Sequence, residues 1–295
     1  MAQRKSLRTS LGHELVGQEL PEANIALARL EAVMAPNVYI VQTGMRFGDN
    51  VKYVQWDFPK TLHTVELMQI TDVQFGHVMC RYDRVLEFRD WILAKPNRFM
   101  LWGGDMIDAG TKLSVGDPWE QIAGPQAQLY KFAEVWAPAR HRVLGYVGGN
   151  HERRAFTYGD LGSEIARLLR IPYSMGRQAV DIRFGRHQPF KISLWHGAGG
   201  ARTKGAVAQT LDRFMQQGDS QLYLMGHLSQ PLIMPIWKQY RDGHQIRLQK
   251  CIGALGSSFL ETWHTYAEVA GFAAHDVLMP LAVLEADGHW EVRLR

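Results

Sequence analysis

Five short apolar runs in this chain each lead into a carboxylate, an amide or an imidazole, and no other feature restricts the possible folds as much. Val65–Thr71 leads into Asp72, and Phe99–Trp102 into Gly103-Gly104-Asp105. Arg142–Val147 is followed closely by Gly149-Asn150-His151-Glu152, Phe190–Trp195 by His196, and Leu222–Met225 by Gly226-His227. Runs of this length bounded by glycines read as buried strands. Intervals of a few tens of residues leave room for a helix or hairpin between them. In layered α/β folds, ligands gather at the carboxyl ends of strands, so the pattern predicts an α/β core with five loop tips meeting at one site.

Singly, the signals are weak. A Gly-Asp dipeptide such as the one at Asp105 is ubiquitous, and a lone His such as His196 or His227 is more often a hydrogen-bonded core or surface residue than a ligand. The joint pattern carries the weight, because coincidence would have to recur at every run. Asn150 and His151 add an amide oxygen and an imidazole at one point, which suits a metal and a proton donor beside the same phosphate. Gly149 allows the backbone to turn sharply and approach closely there.

The pattern resembles that of the calcineurin-like metallophosphoesterases: D-x-H, G-D, G-N-H-E or G-N-H-D, a lone H, then G-H-x-H. Here it falls on Asp72, Asp105, Asn150 with His151, His196, and His227, across residues 62 to 230. The stretch from Gly253 to Leu260 and on to Glu268 resembles phage and prophage members of that family. The resemblance implies a four-layer α/β/β/α fold, a β-sandwich flanked by helices. It also implies two divalent metal ions, Asp105 as the carboxylate between them, and His151 as a proton donor that is not a metal ligand.

Two positions depart from the family pattern. Gln74 stands where the family has the His of D-x-H, and Ser229 where it has the second His of G-H-x-H. By resemblance both belong to the first metal, whereas the second keeps Asp105, Asn150, His196 and His227. Gln and Ser oxygens suit hard cations such as Mn²⁺ or Mg²⁺ better than Zn²⁺. The expected ions are therefore Mn²⁺ first, with Mg²⁺, Ni²⁺, Fe²⁺ or Zn²⁺ as alternatives, and a weaker first site. His77 is either a substitute ligand or a residue with a helix-start or surface role.

The chemistry implied is hydrolysis of a phosphate ester. Two cations roughly 3.5–4 Å apart can share a hydroxide and clamp the phosphoryl oxygens, with Asp72 and Asp105 supplying anionic charge. The loop Gly197–Gly205 carries Arg202 and Lys204 and either holds phosphate oxygens or is a solvated turn. Arg153 and Arg154 invite the same choice, between phosphate binding and a surface ion pair. Trp119, in the irregular stretch Gly110–Gln126 with Lys112 and Asp117, either stacks on a base or latches the loop. Phosphodiester or nucleic-acid substrates are favoured slightly over phosphomonoesters. The competing reading is a metal-binding scaffold whose first site has degenerated.

The remaining sequence sets bounds. The chain has 295 residues, 46% of them hydrophobic, enough for one sizeable α/β domain. A net charge of +4 is compatible with nucleic acid and with any anionic substrate. Two separated cysteines, Cys80 and Cys251, suggest a reducing, cytoplasmic setting. No apolar run is long enough for a bilayer, so no membrane is expected, and the basic N-terminus lacks the apolar core of a signal peptide. Residues 1–60 are expected to form an N-terminal helix, Pro21–Ala35, and accessory strands near Val38–Val41 and Val51–Val54. Residues 61–295 are expected to form the catalytic domain. Helices are predicted over Tyr82–Lys95, Leu129–Trp136, Leu161–Leu169 and Val207–Met215, and a terminal hairpin about Asp287-Gly288.

Overall fold

The structure, a computed structural model, describes residues 39–40, 48–59, 61–111, 114, 118–154, 159–185, 187–261, 268, 271 and 274–295. The helix expected over residues 21–35 lies outside these, as do Lys112 and Asp117.

Two sheets are stacked on each other. The six-stranded sheet contains β3 (Thr64–Ile70), β4 (Arg98–Trp102), β5 (Val143–Val147), β6 (Tyr173–Ser174), β12 (Pro280–Glu285) and β13 (Trp290–Leu294), in the order β13-β12-β3-β4-β5-β6. The seven-stranded sheet contains β1 (Tyr39–Ile40), β2 (Tyr53–Phe58), β7 (Arg177–Phe184), β8 (Phe190–Trp195), β9 (Leu222–Met225), β10 (Leu232–Asp242) and β11 (Gln245–Leu255), in the order β1-β2-β7-β8-β9-β11-β10. Strands β3, β4, β5 and β6 run parallel, as do β8, β9 and β11. Parallel neighbours need crossovers, which the helices supply.

Alternation along the strands sends one set of side chains into the space between the sheets. Val54, Trp56, Val65, Leu67, Phe99, Leu101, Leu144, Val180, Ile182, Ile192, Leu194 and Leu224 pack there. The opposite face of the six-stranded sheet, with Met68, Ile70, Trp102 and Tyr146, is covered by helices α1 (Tyr82–Leu93), α2 (Pro125–Trp136) and α3 (Leu161–Leu169). The opposite face of the seven-stranded sheet is covered by α4 (Lys204–Met215), whose Val207, Leu211, Phe214 and Met215 meet Tyr223 and Cys251. The result is the four-layer α/β/β/α sandwich. Burying a single large aliphatic side chain in such layers contributes about 1.5–3 kcal/mol, so these three apolar interfaces dominate stability.

Helix boundaries follow local signals. Pro125 occupies the first turn of α2, where a missing N–H costs nothing. Asp160 caps α3, accepting from Gly162 N–H and Ser163 N–H, and Thr203 caps α4 through Ala206 N–H. In α1 the buried face is Tyr82, Val85, Phe88 and Ile92, whereas Leu86 and Leu93 are only partly covered.

One placement differs from expectation. The strand expected at Val51–Val54 runs instead from Tyr53 to Phe58 and is no appendage: it pairs in parallel with β7 and sends Val54, Trp56 and Phe58 into the core. Gln55 and Asp57, between them, face the other way, so this strand is an apolar/polar alternation and not an unbroken apolar run. The terminal hairpin forms as expected, β12 pairing antiparallel with β13 around Asp287-Gly288. Among the described residues no helix is long and apolar enough to cross a membrane.

Candidate metal centre

The loops after β3, β4, β5, β8 and β9 meet at one end of the sandwich. Backbone hydrogen bonds stitch them together: Asp72 N–H donates to Gly104 O at 2.9 Å, Gln74 N–H to Asp105 O at 2.9 Å, and Gly226 N–H to His196 O at 3.0 Å. Such approach needs glycine at several of the junctions, Gly104, Gly149 and Gly226 among them. A Cβ on Gly149 would lie 2.0 Å from Asp105 Oδ1, and Gly104, at φ +91°, would press one to 2.7 Å from His196 Nδ1.

Asp72, Gln74, Asp105, His227 and Ser229 all have left-handed backbones, with φ of 51°, 47°, 54°, 69° and 50°. Non-glycine residues adopt this region at a cost of roughly 1 kcal/mol or more each. Five such residues on three loop tips of one site mean that the surrounding packing and hydrogen bonds hold side chains where free loops would not.

Ligand atoms of Asp105, His196 and His227 lie within 4.8 Å of one another, a spacing that can close on one ion. His196 Nδ1 is 2.8 Å from Gly103 O, which makes Nδ1 the protonated nitrogen. Its Nε2 then faces Asp105 Oδ2 at 3.2 Å and Asn150 Oδ1 at 3.0 Å. A lone pair aimed at two oxygen acceptors is satisfied only by a proton or a cation between them. His227 Nε2 lies 2.8 Å from Gly199 O, leaving Nδ1 as the nitrogen able to coordinate, and the two imidazole rings are 5.0 Å apart edge to face.

Asp72 lies beside this group. Its carboxylate accepts from His227 N–H at 2.9 Å and from Thr71 Oγ at 2.6 Å. Gln74 has its Nε2 3.4 Å from His151 Nε2, while its Oε1 is buried without a hydrogen-bond partner. A buried amide oxygen left unsatisfied costs about 1–3 kcal/mol, and a hard cation would relieve it. The residues therefore fit divalent metal ions. Ser229, half-buried two residues after His227, follows on the same loop.

Burial opposes ionisation of Asp105, but His151 and His196 beside it win and hold its carboxyl well below the usual range. Burial likewise works against a charged His196, yet the Asp105 carboxylate lifts its pKa to about 10. Asp72 shifts upward, chiefly through burial and next through the nearby Asp105 charge.

His151 is fixed from both sides. Its Nδ1 sits 2.8 Å from Asp108 Oδ1, and its Nε2 lies 3.5 Å from Asp105 Oδ2 and 2.8 Å from an Arg154 nitrogen. Burial penalises its cation, but Asp105 and Asp108 together raise its pKa. Arg154 pulls the other way, since its N–H can donate only to a neutral ring. Arg154 also donates to Asp108 O at 3.0 Å, so it belongs to the His151 surroundings, while Arg153 donates to Gly149 O.

Other expected residues fall at the periphery. Arg202 and Lys204 are exposed on the glycine loop, Lys204 opening α4. Trp119 is 90% exposed, on a short turn at Pro118–Glu120. His77 is no substitute ligand here: its Nε2 lies 3.4 Å from Glu120 and its Nδ1 accepts from Met79 N–H.

Two buried carboxylates carry roles that sequence reasoning missed. Glu152 accepts from the N–H groups of Asp105, Met106 and Gly149 and from the Tyr146 hydroxyl, at 3.1, 2.6, 2.9 and 2.9 Å. Asp108 orients His151, and its other oxygen accepts from Gln121 Nε2. The one sequence signal was adjacency: Glu152 completes Gly149-Asn150-His151-Glu152, and Asp108 follows Asp105 by one turn of chain.

No protein-family model and no curated protein matches this chain. The solved structures that match this chain are distant in sequence. A conserved uncharacterized protein from Streptococcus pneumoniae, described as a predicted phosphoesterase, is 15% identical, over 79% of this chain and 98% of its own, at a TM-score of 0.34. A metallophosphoesterase from Sphaerobacter thermophilus is 12% identical, over 79% and 87%, at 0.39. The NAD nucleotidase of Haemophilus influenzae is 11% identical, over 78% and 49%, at 0.35.

Proposed function

We propose that this protein is a metal-dependent phosphoesterase. The reading rests on one observation above the rest. Asp105, His196 and His227 come from three different loops, yet they bring ligand atoms within 4.8 Å of one another. Asp72, Asn150 and the unpartnered oxygen of Gln74 stand around them. Asp105, Asn150, His196 and His227 would hold the second divalent ion, and Asp72, Gln74 and Ser229, with Asp105 shared, the first and weaker one. The oxygen-rich first set favours Mn²⁺ or Mg²⁺ over Zn²⁺. When bound, the ions would neutralise phosphoryl charge and lower the pKa of water.

The chain's own residues account for the rest. His151 hands a proton to the leaving oxygen from Nε2, with Asp108 at Nδ1 holding the ring in place. Arg154 gives up its contact with Nε2 to grip a phosphate oxygen in the fork geometry that guanidinium favours. The exposed Arg202, Lys204 and Trp119 would give a phosphodiester, with its further phosphates and bases, more contacts than a monoester. A phosphodiester or nucleic-acid substrate is therefore favoured.

The test combines metal analysis with hydrolysis of bis-p-nitrophenyl phosphate, p-nitrophenyl phosphate and single-stranded DNA in Mn²⁺. Turnover abolished in Asp105→Asn and His151→Ala, both still folded, supports the reading. A folded protein that binds metal but turns over none of these in Mn²⁺, Mg²⁺, Ni²⁺ or Zn²⁺ is a scaffold instead.

A further inference from the structure

The hairpin β10–β11 is longer than the sheet it belongs to. Its rungs run from Leu232↔Leu255 to Asp242↔Gln245, and from residue 239 to residue 248 it is exposed on both faces. At about 3.3 Å per residue, the six outermost rungs reach roughly 20 Å. Leu255 pairs beside Met225 at the metal end, so the hairpin tip lies at the opposite end of the sandwich, about 30 Å away.

This arm carries four of the six large apolar side chains most exposed among the described residues: Trp237, Tyr240, Ile246 and Leu248. Trp237, Ile246 and Leu248, exposed by 66%, 75% and 61%, share one face. The register shows it, since Trp237 pairs with Lys250, Gln239 with Leu248 and Arg241 with Ile246. The same face carries Ile252, which nearer the sheet is buried in the core between the layers. The arm therefore continues an interior surface past the point where the facing sheet covers it. Its other feature is a free edge: β10 ends the sheet order, and Pro235 within it is a residue that edge strands tolerate.

We propose that this arm is a self-association surface, on which a second copy of the chain docks its own arm about a two-fold axis. The competing occupant would be a polyanion, attracted by the cations nearby. Most of those cations are already engaged within the chain, with Arg241, opposite Ile246, the exception among the described residues. Arg247 pairs with Asp242 at 2.9 Å, Lys250 lies over the Trp290 ring at 5.2 Å, and Lys238 donates to the carbonyls of Met215 and Gly218. Ile246 and Leu248 offer a nucleic acid nothing to stack on, and Trp237 is the one aromatic ring on that face. An identical arm supplies what the surface lacks, namely apolar cover and a second row of edge hydrogen-bonding groups, and closed two-fold pairs are the commonest assembly. Each arm contributes apolar area on the order of 500 Å², which with a polar rim approaches the roughly 800 Å² per partner of a stable pair.

Sedimentation velocity of the full chain, from low to high micromolar concentration, tests this directly. The wild type should pass from monomer to dimer, and the dimer should persist in high salt. Ile246→Glu with Leu248→Glu should weaken association by about a hundredfold or more, while circular dichroism and metal content stay as in the wild type. Both side chains are exposed in the monomer, so loss of folding is not expected; Trp237→Ala is the milder second variant and should weaken association in the same direction. A wild type that stays monomeric, or a double variant that dimerises normally, overturns the proposal. So does a monomer whose arm binds an oligothymidylate or phosphatidylserine vesicles in a manner lost in the double variant. None of these outcomes bears on phosphoesterase activity, which is assayed separately.

Discussion

The Glu152 carboxylate accepts the backbone N–H of Asp105 at 3.1 Å, although the two residues belong to loops after different strands. Through its other contacts, to Met106, Gly149 and Tyr146, one buried side chain ties the loop after β4 to the loop after β5. The separation of Asp105 from Asn150 is thus set by a residue that reaches neither a metal nor a substrate.

Removing that tie should loosen both loops at once. Glu152→Ala leaves three buried N–H groups and a hydroxyl without an acceptor, and unfolding in urea should show a loss of roughly 3 kcal/mol or more. Glu152→Gln is a partial rescue, since its oxygen keeps two of the four bonds while its NH₂ would face N–H donors, so its stability should fall between wild type and the alanine variant. Wild-type stability in the alanine variant would show that the bonds do not matter.

Gly149→Ala tests the closeness of the site. Its Cβ would fall 2.0 Å from Asp105 Oδ1, so the loops must separate. Overpacking of this kind costs typically 1–3 kcal/mol. Metal bound per chain, measured by mass spectrometry of the desalted protein, should drop, with secondary structure by circular dichroism retained. Full metal content would contradict the close approach.

Metal uptake should expel protons. Without metal, His196 holds its proton up to a pKa of about 10, because Asp105 outweighs the effect of burial. A raised folded-state pKa means that the His196–Asp105 pair stabilises the metal-free protein fully below the ordinary histidine range near 6.5, and that this contribution is lost as pH rises through about 10. At neutral pH an incoming ion must displace that proton, so metal affinity should rise with pH. Calorimetry in two buffers of different ionisation enthalpy should report close to one proton released per ion at this site; none released would place the ion elsewhere.

The oxygen donors at residues 74 and 229 should set metal preference. Gln74→His with Ser229→His replaces an amide and a hydroxyl by imidazoles, which Zn²⁺ prefers. The double variant should bind its weaker ion at least about tenfold more tightly, with the preference moving from Mn²⁺ towards Zn²⁺. Titration by calorimetry reads both, and an unchanged isotherm would remove these two residues from the ligand set.

Much of the architecture was readable before any coordinates. Strands β3, β4, β5, β8 and β9 are apolar runs with a polar stop, and helix α3 begins and ends where its apolar period does, at Leu161 and Leu169. β2 was harder, because it is an alternating segment and not an apolar run, and its place depends on β7, more than a hundred residues away. The β10–β11 hairpin went unread for a related reason: Trp237, Lys238, Gln239, Tyr240 and Arg241 follow no alternation of polarity, since neither face of that segment is buried.

What the sequence determined by itself is the kind of chemistry. Carboxylates, amides and imidazoles at successive strand ends suit the holding of cations and the transfer of protons, and that is a property of residue type and local order. The tertiary structure alone decided which of those atoms meet and what holds them. Asp105, His196 and His227 converge because two sheets stack in one register, and Glu152 and Asp108 take their roles from partners far along the chain. Contacts of that range are fixed by packing, which local sequence patterns do not encode.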